Sequence, residues 1–134
     1  MASWIVPCNL TYYDVDGAFA NLPCVTWKQT RKVCVGDIVY IYVGKPISAI
    51  KYKAQAVAVD QTARYYDDSA FAIIPAKYTD NDMFMDLKLL RTYDDTALPL
   101  ALLHDNGVKG NIMGARRVDD TVARFLDGID GIDG

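Results

Sequence analysis

The stretch Ile38-Val39-Tyr40-Ile41-Tyr42-Val43 consists only of β-branched and aromatic residues. Such side chains suit a pleated sheet and lose rotamer freedom in a helix. No charged residue marks either parity, so the run reads as a strand buried on both faces or nearly so. A strand of that kind must lie inside a sheet with material packed on each side. It therefore predicts a sheet-centred fold.

Turn chemistry brackets the run, with Val35-Gly36-Asp37 before it and Gly44-Lys45-Pro46 after it. Residues 49–59 then alternate. Ile50, Tyr52, Ala54, Ala56 and Ala58 fall on one side, and Lys51, Lys53, Gln55, Val57 and Val59 on the other. This predicts a long strand whose first half has one wet face. The meander over 38–59 is the expected spine.

The rest of the chain supplies flanks. Residues 3–8 (SWIVPC) predict a short strand and 24–31 an extended segment. Asp14 is placed to cap a helix over 15–22, which Pro23 ends. Residues 60–70 and 75–82 read as loops around a short strand at 70–74, and 83–92 as a further strand. A helix over 98–104 is expected behind Asp94-Asp95-Thr96, and His104 beside Asp105 fits its C-terminal end better than a catalytic base. The glycine-rich stretch 109–115 is a loop. A last helix over 118–126 is capped by Asp119, Asp120 or Thr121. The glycines of DGIDGIDG oppose helix, so the domain is expected to span 1–126 and a flexible tail 127–134. These elements predict an α+β fold: a curved sheet or small β-barrel of five to six strands with flanking short helices.

Composition narrows the function. The length of 134 residues suits one domain. The net charge of −3 argues against a long nucleic-acid-tracking surface, which phosphate neutralisation would require to be basic. A local basic rim remains open, and the first sixty residues are its better place, since they hold more Lys and Arg than acidic residues. Cys8, Cys24 and Cys34 form no CxxC pair, and the chain has 1 histidine, so no metal site and no cofactor are expected. The odd cysteine count, with no secretory leader read at the N-terminus, favours a reducing cytoplasm. No apolar run reaches membrane-spanning length, so no membrane partner is expected.

The order of Trp4 in a strand, an aromatic turn and short helix, Trp27-Lys28-Gln29, and then Val35-Gly36-Asp37 leading into Ile38–Val43 resembles the EVE domain of the PUA-like superfamily. The likeness covers about residues 3–60. One departure is that many EVE sequences begin W-x-x-K-x-E-P, whereas here Trp4 is followed by Ile5-Val6-Pro7-Cys8-Asn9. The resemblance implies a barrel-like sheet and a concave site for a flipped, often modified, base, as in the related YTH and ASCH domains. EVE-like modules also occur beside nuclease modules, so a nuclease partner is conceivable.

A flipped base needs flat walls and a few polar groups for its edge. Trp27 is the first expected wall, because it sits among Thr26, Lys28, Gln29 and Thr30. Trp4 and Tyr42 are further candidates, although Trp4 in an apolar strand suits the core better than the pocket. Tyr40 shares the face of Tyr42. Tyr12 and Tyr13 follow in the aromatic turn. Gln29 can pair with a base edge through both ends of its amide. Asn9 suits a pocket or a turn about equally, and Ser48 can donate to a ligand, although a turn role is its simpler account. For phosphate, the candidates are Lys28, Lys45, Lys109, Arg116 and Arg117, the last two following a glycine-rich loop. They can instead pair with nearby carboxylates.

The expected function is thus a non-catalytic reader of a modified base such as 5-methylcytosine, with DNA favoured over RNA. The alternative, implied by ASCH relatives that are small amidohydrolases using lysine, threonine and glutamate, is hydrolysis of an acylated nucleoside. Lys28 with Thr26 or Thr30 is the nearest analogue. All 17 acidic residues are aspartate, so a residue such as Asp37 would replace the glutamate.

Overall fold

The computed structural model describes residues 1–64, 66–75 and 77–134. Seven strands, β1 (Ser3–Cys8), β2 (Val25–Gln29), β3 (Ile38–Val43), β4 (Ala49–Gln61), β5 (Met83–Thr92), β6 (Arg116–Val118) and β7 (Ile132–Asp133), form one sheet. Among the described residues three α-helices accompany them, α1 (Val15–Asn21), α2 (Leu100–Asp105) and α3 (Asp120–Asp127). The main path of the sheet runs β2-β5-β4-β3-β1-β6, with β7 on β5. Only β1 and β3 are parallel; the other pairs are antiparallel. The sheet curls into a half-barrel, the curved-sheet α+β architecture expected from the sequence, with seven strands in place of the expected five to six because Arg116–Val118 and Ile132–Asp133 also pair.

β3 is buried at all six positions. Its odd residues, Val39, Ile41 and Val43, join Trp4, Val6 and Phe19 in a core beneath α1. Its even residues, Ile38, Tyr40 and Tyr42, join Ile5, Leu103 and Leu126 in a second core beneath α2 and α3. The two layers cover the central strand from both sides, which its composition demands.

The regular alternation expected over 49–59 holds only in part. The partner register jumps from Ile41↔Tyr52 to Tyr42↔Ile50, leaving Lys51 as an extra residue. A bulge of this kind reverses side-chain parity. Ile50 therefore enters the α2–α3 core, whereas Tyr52, Ala54 and Ala56 face the α1 core. The Asp14 cap forms as expected, with its carboxylate accepting from Gly17 N at 3.0 Å.

Elsewhere the boundaries shift for local reasons. The strand expected at 70–74 is a single 3-10 turn, Ser69–Phe71, followed by a bridge between Ala72 and Tyr13. Asp94 caps its own turn through Thr96, and α2 starts later, behind Pro99, whose ring suits a helix entry. Arg116 and Arg117, which follow the expected loop, and Val118, the expected helix start, pair instead with β1, so Asp119 becomes the cap of α3, accepting from Val122 N at 2.8 Å. Residues 127–134, expected as a tail, include β7 opposite Arg91 and Thr92, and Arg91 pairs with Asp133 at 2.9 Å.

β2 and β6 end the main path at opposite edges, so the open side of the half-barrel lies between β2 and the β1–β6 edge. Across it, the Arg31 guanidinium reaches the carbonyl of Ala115 at 3.3 Å and lies 6.0 Å from the Trp4 ring.

Candidate functional site

A cavity of about 380 Å³ opens on that side, between the C-terminal end of β1 and the middle of β2. Pro7, Cys8 and Asn9 form one wall and Thr26, Trp27 and Lys28 the facing one. Tyr12 and Tyr13 come from the turn after β1. Arg64, Asp68 and Tyr78 come from the long connection between β4 and β5.

Each aromatic wall is placed by local structure. The amides of Tyr12 and Tyr13 both donate to the Asn9 carbonyl, at 3.0 and 3.1 Å, while Asn9 Oδ1 accepts from Thr11 N at 2.9 Å. This tight turn carries the two rings from the end of β1 to the cavity. Trp27 lies on the edge strand β2, half-buried against the α1 core. Tyr13 meets Trp27 edge-on, with centroids 5.9 Å apart and planes at 83°. Tyr12 is 52% exposed and Tyr78 41%, so both present surface that a ligand can cover.

The polar end of the cavity is a three-residue chain. Tyr13 donates its hydroxyl to Asp68 Oδ2 at 2.8 Å. Arg64 donates to Asp68 Oδ1. The Asp68 carboxylate is buried, with a residue exposure of 4%. Burial, followed by the hydrogen bond to Asp68 and the charge of that carboxylate, pushes the Tyr13 phenol far above its ordinary value. Tyr13 therefore stays a proton donor at neutral pH. Elsewhere in the lining Lys28 pairs with Asp82 at 3.4 Å, and Thr26 donates to the buried Asp86 at 2.9 Å. Cys8 is no nucleophile: burial, then the nearby Asp16 and Asp14, raise its thiol to about 12, so it stays protonated.

Of the residues singled out in the sequence, Trp27, Asn9, Tyr12, Tyr13, Thr26 and Lys28 meet at this cavity. Gln29 does not. Its amide nitrogen bonds Asp60 Oδ1 at 2.9 Å and the Arg31 carbonyl at 3.1 Å, and its oxygen accepts from Asp60 N at 2.8 Å, so both ends tie β2 to the end of β4. Trp4 is core, and its indole N–H donates to Asp37 at 2.9 Å. Tyr42 packs in the α2–α3 core, on the far face of the sheet, because it has the opposite β3 parity to the residues facing α1. Ser48 has φ 52° and builds the turn before β4, its carbonyl accepting from Leu100 N at 3.0 Å.

The proposed phosphate contacts also separate. Lys45 is exposed in the turn with the cis Lys45–Pro46 bond. Arg116 neither pairs with a carboxylate nor faces the cavity: it bonds the carbonyls of Lys109 and Asn111 at 2.5 and 2.6 Å, clasping the loop that bears the exposed Lys109. Arg117 is exposed on β6 opposite Trp4. Asp37, the aspartate weighed for catalysis, is a buried structural hub. His104 is bonded to the Gly110 carbonyl at 2.8 Å.

Arg64 and Asp68 carry almost no signal in the sequence. They lie in a loop without periodicity, and their one local signal is the i,i+4 spacing of opposite charges. Among the described residues no group of His, Cys and Asp suits a metal ion, and no helix is long and apolar enough to cross a membrane.

No family model matches the chain, and no curated protein does. Solved structures do. The ASCH protein of Zymomonas mobilis superposes with a TM-score of 0.67 at 10% identity, over 97% of each chain. A Pseudomonas putida protein gives 0.65 at 16% identity, over 94% of this chain and 97% of that one. A Rhodopseudomonas palustris protein gives 0.61 at 13% identity, over 94% and 90%. At such identities the likeness is one of fold. This chain has the fold of the Zymomonas mobilis ASCH protein, and the likeness does not single out the EVE domain.

Proposed function

We propose that this protein is a non-catalytic reader that takes one flipped, modified base of nucleic acid into the Trp27 cavity, with 5-methylcytosine in DNA as the first candidate. The observation that carries the reading is Trp27 itself. It is a half-buried indole on an edge strand, standing in an open cavity with Tyr12, Tyr13 and Tyr78 around it. A volume of about 380 Å³ lies within the usual range of small-ligand sites and admits a pyrimidine ring. Stacking on an aromatic wall contributes roughly 1–3 kcal/mol per base. Lys28 at the rim suits a flanking phosphate. The net charge of −3 agrees with contacts confined to one nucleotide and its neighbours.

The test is a titration with short duplexes carrying cytosine, 5-methylcytosine or 5-hydroxymethylcytosine at one position. Tighter binding to one modified duplex, weakened about tenfold or more by Trp27→Ala, supports the reading. Equal affinity for all three duplexes, unchanged in Trp27→Ala, contradicts it.

A second reading, hydrolysis of an acylated nucleoside, draws on one observation. Lys28 and Thr26 line the same wall, and Thr26 is bonded to the carboxylate of Asp86. Turnover of N4-acetylcytidine that Lys28→Ala abolishes would establish it in place of the first.

A further inference from the structure

We infer that Arg64, held in place by Asp68 and Tyr13, reads the edge of the bound base, and that it selects a ring presenting two adjacent hydrogen-bond acceptors, as cytosine does at O2 and N3. This rests on the reading of the cavity as a base pocket.

The guanidinium is fixed on two sides. One N–H group is committed to Asp68, whose second oxygen is filled by the Tyr13 hydroxyl at 2.8 Å. Its Cζ lies 4.9 Å from the centroid of the Tyr78 ring and 6.0 Å from that of Phe84. These cation–π contacts hold the charged head beside the two rings. Arg64 makes no other hydrogen bond among the described residues, and an arginine carries five N–H donors in a rigid geometry. The cavity therefore ends in a preorganised donor fork with its carboxylate already occupied.

That chemistry discriminates between bases. A donor fork bonds bidentately to two neighbouring acceptors. Cytosine offers O2 and N3 side by side. Thymine places an N3–H donor between its two carbonyls, so one arm of the fork would meet a donor. Adenine sets an amine beside its N1 acceptor. Guanine has an acceptor pair at O6 and N7 and is the only other standard base that fits the fork. On cytosine, C5 lies across the ring from C2, so a methyl group there points away from Arg64. Recognition by Arg64 and tolerance of a C5 substituent are therefore compatible.

The test uses single-stranded oligonucleotides of one length with 5-methylcytosine, thymine or guanine at the central position in an abasic context. 5-Methylcytosine and thymine share the methyl group and nearly the same shape, so their affinity ratio isolates the ring edge. We expect 5-methylcytosine to bind at least about tenfold tighter than thymine, and Arg64→Gln to bring the ratio close to one. Arg64→Lys, which keeps the charge and loses the fork, is expected to do the same. Tyr13→Phe is expected to lower the ratio severalfold through loosened positioning. A ratio near one in the wild type, or a ratio that survives both Arg64 variants, overturns the inference while leaving a Trp27-dependent pocket in place. Guanine bound more tightly than 5-methylcytosine overturns the assignment to cytosine. Failure of all three oligonucleotides to bind, with Trp27→Ala indistinguishable from wild type, overturns the pocket reading together with this one.

Discussion

The Tyr13 hydroxyl donates to the buried Asp68 carboxylate across 55 positions of sequence, joining the turn after β1 to the loop between β4 and β5. Removing the donor strands part of a buried acceptor. Tyr13→Phe is expected to cost about 1–3 kcal/mol in urea unfolding. Buried tyrosines also set an alkaline limit. Burial is the largest cause raising the phenols of Tyr13, Tyr40 and Tyr52. The unfolded chain ionises first, at an ordinary value of about 10. The stability linked to these groups is full below about pH 10 and is lost as pH rises through the folded values. Tyrosinate absorbance and loss of circular dichroism should therefore rise together above that pH.

Asp37 organises the opposite end of β1. It accepts from Ala2 N at 3.0 Å, from the Trp4 indole at 2.9 Å and from Cys34 N at 2.9 Å. Burial pushes its carboxyl up, but the bonds from Cys34, Trp4 and Ala2 outweigh it and hold the pKa below the ordinary range. Asp37→Ala is expected to cost about 3 kcal/mol or more. Because the folded pKa is depressed, the stability contributed by Asp37 is full above about pH 4 and is lost as pH falls through the folded value. The acid-side slope of stability should flatten in Asp37→Asn.

Gly131 sits where a Cβ would come within 2.7 Å of the Thr92 carbonyl oxygen and of Arg91 Cγ. Gly131→Ala is expected to lift β7 from β5 and leave the core intact. Hydrogen exchange should accelerate at Gly134, whose amide donates to Leu90 O at 3.1 Å, and stay slow through β3.

The three thiols differ in access. Cys8 and Cys24 are buried and Cys34 is exposed. An aromatic disulfide reagent should titrate one thiol in the native protein and all three after denaturation. Rapid reaction of Cys8 would contradict the burial that keeps its thiol protonated.

The strands were legible where side-chain chemistry is strictly local. Ile38–Val43 is bounded in the structure as its composition predicts, and Asp14 announces the helix it caps. Trp27 stood out because nothing in its neighbours required burial. Tyr42 was misplaced because parity tells which residues share a face and not which face a cavity occupies. Ile50 moved to the other layer through a bulge that alternation cannot reveal. Arg64 and Asp68 stayed hidden because their meaning comes from Tyr13, Trp27 and Tyr78, which only the fold brings near them. Gln29 suits a base edge by its chemistry, and the fold gives its amide to Asp60 instead.

The central claim is that a base stacks on Trp27. Trp4 is the only other indole, and it is buried and bonded to Asp37. Intrinsic fluorescence followed while a duplex with one 5-methylcytosine is added tests the claim most directly. The account predicts a saturable quench in the wild type that disappears in Trp27→Phe, with the Trp4 emission unchanged. No quench in the wild type, or the same quench in Trp27→Phe, would contradict it.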